Sequence, residues 1–212
     1  MELAQLDQPQ IAGQLTHYDG EEITSDEQYE DCIFQDVVMT SKNLRNVYFR
    51  RVHFKNVTFD AMTFERLELV DVVFEQCNLS NTEMIGTIMQ RVRFTQTKLV
   101  GTNFSDSSCI GVSFTECQAN YSAFNYAILK RVLIQDTSLL ATEMMDMKWE
   151  KLTLEKSRLD GLQLFHTSLS GLDLQHCYFE QIAFTPELLK GVTISTTQAI
   201  AIVQQLGVHI KE

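Results

Sequence analysis

The side chains with chemistry to offer in this 212-residue chain are five cysteines, five histidines and a surplus of carboxylates. Cys32, Cys77, Cys109, Cys117 and Cys177 would matter as disulfides, metal thiolates or nucleophiles, and His17, His53, His166, His176 and His209 as bases or ligands. Glu143 with Asp146 has the composition of an acid and base pair. No GxSxG, GxxxxGK or HExxH string accompanies them. Whether any of these groups meet depends on the elements that position them.

Those elements follow from one periodicity. From Phe34 to Ile194 every fifth residue is large and apolar: of 33 such positions, 31 are Phe, Leu, Met, Ile or Trp, and only Cys109 and Ala119 are small. A period of five fits neither the 3.6 of a helix nor the 2 of a flat strand. The chain must therefore turn a corner in every repeat, which makes it a solenoid. The residue two places earlier is usually compact, as at Cys32, Val47, Val72, Thr87, Thr102 and Ser107, and Lys42 and Glu187 break the pattern near the two ends.

This frame separates the reactive groups. Cys32, Cys77, Cys117 and Cys177 fall on the small inward position and Cys109 on a central one, so all five are expected as buried free thiols. Cys77 and Cys117 are 40 residues apart, two coils or ~9.6 Å at the spacing of neighbouring strands, beyond the reach of about 7 Å for a disulfide. His166 and His176, ten residues apart, fall on opposite faces and share no metal. Glu143 and Asp146 belong to an outer wall without a cleft. No cofactor, no metal and no catalytic residue is expected, and the chain is read as a non-enzyme. The start MELAQLDQPQ has no signal-peptide character and no apolar run reaches membrane length, so the cytoplasm is the expected compartment.

The formal charge of −11 argues against direct binding to nucleic acid or an anionic membrane. It is unevenly spread. Residues 1–31 hold Glu2, Asp7, Asp19, Glu21, Glu22, Asp26, Glu27, Glu30 and Asp31 with no Lys or Arg, whereas the repeat is almost neutral. With four pentapeptides to a coil, residues 20 apart stack. The wall centred on Phe49, Leu69 and Met89 is then basic through Arg50, Arg51, Arg91, Lys130, Arg131, Lys148 and Lys151, and the other three are acidic. One of these carries Glu83, Asp106, Glu143 and Asp146 with no intervening cation.

Both ends of a solenoid need covering. Residues 1–31, with Leu6, Ile11, Leu15 and Ile23, are expected to form an acidic N-terminal cap, residues 32–196 the repeat, and residues 197–212 a C-terminal helix and tail. Ser195 and Gln198 read as a capping box. Ala199, Ile202, Val203 and Leu206 form an apolar stripe, Ile200 widens it, and Val208 to Ile210 reads as a short strand after Gly207. So wide a stripe predicts a second copy bound through Ala199, Ile200, Ile202, Val203, Leu206, Val208 and Ile210. The acidic N-terminal segments would lie at the far tips of such a dimer.

The repeat is identified as that of the pentapeptide-repeat family, which implies an all-β solenoid, a right-handed quadrilateral β-helix of about eight coils with a short C-terminal α-helix. The strings LRNVYFRRVHF, LVGTNFSDSSCIGVSFTECQANYSAFNYA, TSLSGLDLQHCYFEQIAF and FTPELLKGVTISTTQAIAIVQQLGVHI further resemble the Qnr-type quinolone-resistance proteins of Gram-positive bacteria, that of Enterococcus faecalis in particular. That resemblance implies a dimeric, DNA-mimicking rod that binds DNA gyrase and topoisomerase IV and protects them from fluoroquinolones. The candidate contacts are Glu83, Asp106, Glu143 and Asp146 on one wall and Asp26, Glu27, Glu30 and Asp31 at the tip. The alternative is a non-enzymatic interaction scaffold for another protein, presenting Tyr48, Tyr121, Tyr126, Phe165 and Tyr178.

Overall fold

A computed structural model describes residues 6–11, 13–18, 20 and 22–210. The chain is an all-parallel β-solenoid of about eight turns with one C-terminal helix. The main sheet runs in the order β1 (Thr16–His17), β2 (Gln28–Gln35), β4 (Asn43–Lys55), β6 (Thr63–Glu75), β7 (Ile88–Thr95), β8 (Ser108–Thr115), β9 (Ile128–Gln135) and β10 (Lys148–Glu155). Short pairs flank it: β3 (Val38–Met39) with β5 (Thr58–Phe59), and β11 (Leu162–Leu164) with β12 (Ile182–Phe184). From β2 to β10 the register advances by one 20-residue coil at every step, as in Phe34↔Phe54, Phe74↔Phe94 and Ile134↔Leu154. β2 begins at Gln28, so the repeat phase already holds at Tyr29, opposite Phe49.

At most corners the residue two places after the centre is left-handed, Ser41 and, near the C-terminal end, His176, Gln181 and Pro186 being exceptions. Asp31, Asp36, Asn46, Asn56, Asp71, Asn81, Asp106, Asp136 and Asp146 all have φ between 49° and 58° or close to it, and Gly86, Gly101, Gly111 and Gly161 occupy the same phase. Such a conformation costs an ordinary L-residue roughly 1–2 kcal/mol, less for Asn and Asp and nothing for Gly. No Val, Ile or Thr is found among these positive-φ residues, because a branched Cβ fits the left-handed region worst.

Inside, the five-residue centres stack as the period requires. The rings of Phe34, Phe54, Phe74, Phe94 and Phe114 lie 4.9, 4.9, 4.7 and 4.9 Å apart in succession and grow more parallel up the column, from 19° to 3°. At the narrow coil Cys109 and Ala119 are fully buried, and Phe104 reaches across to Phe114 at 6.1 Å while stacking on Phe124 at 4.9 Å. The large rings fill what the small residues leave.

The inward hydroxyls are satisfied by the coil before them. Thr102 Oγ1 donates to the Leu79 carbonyl at 2.8 Å and Thr142 Oγ1 to that of Ala119 at 2.8 Å. Ser107 Oγ accepts from the Thr87 N–H at 3.1 Å and Ser157 Oγ from that of Thr137 at 3.2 Å. Buried polar groups bonded in this way carry no desolvation penalty to speak of. The two exceptions to the compact rule leave the interior: Lys42 is exposed and pairs with Asp60 at 2.5 Å, and Glu187 lies in an exposed 3-10 turn, Pro186–Leu188.

At the C-terminal end, helix α1 (Thr196–Gln205) opens on the expected capping box. Ser195 N–H donates to Gln198 Oε1 at 2.8 Å and Gln198 N–H to Ser195 Oγ at 3.3 Å. Gln198 also closes the last coil, since its Nε2 donates to the carbonyls of Leu174 and Cys177 at 2.7 and 2.8 Å. Ile202 is buried against the coil. Contrary to expectation, residues 208–210 form no strand; the Val208 N–H bonds back to the Val203 carbonyl at 3.3 Å.

The N-terminal segment departs further from expectation. Tyr18 and Ile23 do cap the first coil, the Tyr18 ring lying 4.6 Å from that of Phe34 at a tilt of 39°. Residues 7–10, however, are not at the tip. Gln10 N–H donates to Asp71 at 2.9 Å, Arg93 bonds Gln8 at 3.4 Å, and Arg131 pairs with Asp7 at 3.3 Å. The segment lies along the side of the rod, drawn there by the basic wall. Glu2, Asp19 and Glu21 fall outside the described residues.

Candidate functional site

The acidic wall predicted from the repeat phase is formed. Glu83 and Glu143 belong to one vertical column, linked through the parallel bridges Glu83↔Asn103, Asn103↔Ala123 and Ala123↔Glu143. Asp106 and Asp146 occupy left-handed corners of the same wall. Three coils separate Glu83 from Glu143, ~14 Å at strand spacing, and two separate Asp106 from Asp146, ~10 Å. No Lys or Arg pairs with any of the four among the described residues. Glu83 accepts from Asn103 at 2.9 Å, Glu143 from Asn125 at 2.6 Å, and Asp146 lies 3.3 Å from the exposed ring of His166. These amides orient the carboxylates without neutralising them.

The tip carboxylates are differently placed. Arg51 holds Asp31 in a fork at 2.5 and 2.7 Å and reaches Glu30 at 3.3 Å; Arg45 lies 3.5 Å from Asp26 and Arg50 4.0 Å from Glu30. The hydrogen bond from Arg51 holds the Asp31 carboxyl below its ordinary value, and that from Asn46 does the same for Asp26. Three of the four tip candidates are thus already partnered by cations, and Glu27 has no such partner among the described residues. Asp26, Asp31, Asp106 and Asp146 also share the left-handed phase, which gives their residue type a conformational reason. Glu83 and Glu143 have no such reason.

The groups weighed for chemistry stay apart. All five cysteines are free and buried. Burial pushes the thiols of Cys77 and Cys109 up to about 12 and those of Cys32 and Cys117 to about 11, far from the thiolate a nucleophile or metal needs. No group of three or more His, Cys, Asp or Glu is placed to hold a metal among the described residues, and no described helix is long and apolar enough to cross a membrane. A surface hollow of about 490 Å³ beside α1 is lined by Glu155, Lys156, Gln175, His176, Tyr178 and Thr197 among others. It lies one coil beyond β10, the last strand of the main sheet, whose final residue Glu155 lines it.

The exposed large apolar side chains include aromatics spread over several walls and a group on the helix and tail. Tyr121, Tyr126 and Tyr178 are 68, 61 and 70% exposed, with Tyr48 and Phe165 less so. On the helix and tail, Ile200, Leu206, Val208 and Ile210 are exposed while Ala199 and Val203 are half-buried.

Comparison with known proteins agrees on the repeat. Residues 87–164 match the family model described as Pentapeptide repeat region. Among solved structures, a trypsin-treated form of QnrB1, described as a plasmid-mediated fluoroquinolone resistance protein, is 17% identical over 93% of this chain and 97% of that one, with a TM-score of 0.46. HetL from the cyanobacterium Nostoc sp. strain PCC 7120, described as a pentapeptide repeat protein involved in heterocyst differentiation regulation, is 13% identical over 79% of this chain and 85% of that one, with a TM-score of 0.41. The described roles of these two differ and belong to those proteins. The sequence matches no curated protein, so the expected closeness to the Gram-positive Qnr-type group finds no counterpart there.

Proposed function

We propose that this chain is a non-enzymatic, DNA-mimicking binder of type II DNA topoisomerases, DNA gyrase or topoisomerase IV, that protects them from fluoroquinolones. The observation that carries this reading is the wall of Glu83, Asp106, Glu143 and Asp146, whose carboxylates have no Lys or Arg partner while those of the tip largely do. A rigid rod of ~40 Å, from about eight coils at strand spacing, presents this negative column to a basic DNA-binding groove, where long-range attraction steers association. B-DNA carries about one charge per 1.7 Å of axis, well above the density of a −11 chain, so shape contributes more to the mimicry than charge does. No direct contact with nucleic acid or membrane is needed, and the cytoplasm is where such a target would be met.

The working form is a homodimer joined through the helix and tail. Ile200, Leu206, Val208 and Ile210 are the exposed apolar side chains that a second copy would cover, with Ala199, Ile202 and Val203 behind them. Tail-to-tail association gives a rod of ~80 Å. Purified protein is expected to run as a dimer, and Ile200→Lys with Leu206→Lys as a monomer.

The function is tested by gyrase supercoiling with ciprofloxacin. Equimolar protein should restore activity. A quadruple variant, Glu83→Gln, Asp106→Asn, Glu143→Gln and Asp146→Asn, keeps the amide size and the left-handed corners while removing the charge. It should lose protection and bind gyrase at least about tenfold more weakly, a change of about 1.4 kcal/mol, and wild-type binding should weaken as salt rises. Unchanged protection by that variant would reject the wall. The exposed Tyr121, Tyr126 and Tyr178 favour a second reading, a scaffold for another protein partner, since aromatics are enriched at binding hot spots. No effect on gyrase at large excess of protein would support it.

A further inference from the structure

The N-terminal segment covers a groove that capping does not require. Tyr18 and Ile23 already close the first coil, yet residues 7–10 lie against coils that begin at Asp71 and end at Arg131. The wall beneath them is built to receive a chain. Its outward positions Val73, Ser113 and Leu133 are only 4, 6 and 5% exposed, whereas the corresponding outward positions of other walls, such as Thr58, Glu83, Asn103 and Ala123, are half-buried. At the corner between them the segment runs close to the wall: a Cβ on Gly111 would stand in ordinary contact with Asp7 Cβ, at 3.5 Å.

The polar contacts are of two kinds. Asp71, itself 4% exposed and forked to Arg91 at 2.6 and 2.7 Å, turns Oδ1 to the backbone N–H of Gln10. That bond reads backbone and accepts any residue but proline. Arg93 and Arg131 meet side chains, Gln8 and Asp7; Lys130, opposite Glu150 on the next strand, and Lys151, one coil beyond Arg131, make no ion pair among the described residues. The groove therefore has more positive charge than its present occupant, residues 6–11, brings to it.

We propose that this wall is a docking groove for an extended, acidic segment of a partner protein, held shut in cis by the chain's own N-terminus. The cis contact is displaceable. Its one ion pair is exposed, a kind worth at most about 1 kcal/mol, and its hold depends on the high effective concentration of a tethered segment. A partner segment with carboxylates opposite both Arg93 and Arg131 offers what Gln8 does not.

The test uses the full-length protein and labelled synthetic peptides of residues 6–15. The wild-type peptide should bind full-length protein weakly, and Asp7→Lys in the protein should strengthen that binding about fivefold, by loosening the cis segment while leaving the groove intact. Carrying Gln8→Glu in the peptide should strengthen it again. Carrying Gln10→Pro, or placing Arg131→Glu in the protein, should abolish it. As a second measurement that needs no variant, excess Gln8→Glu peptide should speed amide exchange of residues 8–18 in the wild-type protein and leave that of β6 to β9 unchanged. Equal peptide affinity for wild-type and Asp7→Lys protein, binding indifferent to Arg131→Glu, or no change in amide exchange would overturn the proposal. So would concentration-dependent exchange of N-termini between copies of the Asp7→Lys protein, which would make the occupant a second copy.

Discussion

Asp71 and Arg91, one coil apart, form a two-pronged ion pair at 2.6 and 2.7 Å beneath the N-terminal segment, with the Asp71 side chain almost fully buried. Burial alone would raise the carboxyl, but the bonds from Arg91 and from the Gln10 N–H outweigh it and hold the group below its ordinary value of 3.8. The pair fastens the segment to two coils at once, and removing one partner leaves the other buried alone.

Asp71→Ala should therefore cost about 2–4 kcal/mol in urea unfolding, within the range for breaking a buried pair and discounted because Arg91 is 22% exposed. The double variant with Arg91→Met should recover part of that loss. A double-mutant cycle with no coupling between the two would contradict the geometry.

The pH dependence has the same origin. Asp26, Asp31, Asp36 and Asp71 all sit below 3.8 in the folded protein. A carboxyl depressed by folding contributes stability that is fully present above its unfolded value, about 3.9, and is lost as pH falls through the lower folded value. Burial of His53 holds its imidazole below the ordinary value of 6.5, so the unfolded chain takes up that proton first and stability should already decline as pH falls below about 6.5, then fall further below about pH 4 as the carboxylates protonate. Thermal melts at constant ionic strength read this directly, and melting temperatures that rise on acidification would be incompatible with it.

In the aromatic column, Phe94 is sandwiched between Phe74 and Phe114 at 4.7 and 4.9 Å and is fully buried. Phe94→Ala should cost about 3–5 kcal/mol, whereas Phe94→Leu, which preserves most of the volume, should cost far less. In a solenoid each coil leans only on its neighbours, so the Ala variant should also speed amide exchange most in β6 to β8.

The corner predicts an asymmetry between two substitutions at one site. Gly86 has φ of +67° and open space where a Cβ would stand. Gly86→Asn should be nearly neutral, and Gly86→Val should cost about 1–2 kcal/mol through backbone strain alone. Equal stabilities would mean that the left-handed corner is not what the repeat phase demands.

Most of the rod was legible in the residues. The five-residue spacing of Phe34 to Ile194 dictated which side chains enter the interior, because burial of large apolar groups at a constant phase allows no other closed arrangement; the fate of all five cysteines followed. The excess of Asp, Asn and Gly two places after each centre was a readable sign of the left-handed corner, though it is scattered among Arg, Gln and Tyr and so easily passed over. The capping box at Ser195 and Gln198 was local and came through intact. What distance along the chain concealed was which charges meet. Arg131 and Asp7 are 124 residues apart and Gln10 and Asp71 are 61 apart. Only the stacked coils bring the acidic N-terminus onto the basic wall, pair the tip carboxylates with Arg45, Arg50 and Arg51, and leave Glu83 and Glu143 with amides alone. Composition sets how much charge a chain carries; which of it stays free is decided by contacts that exist only once the coils are stacked.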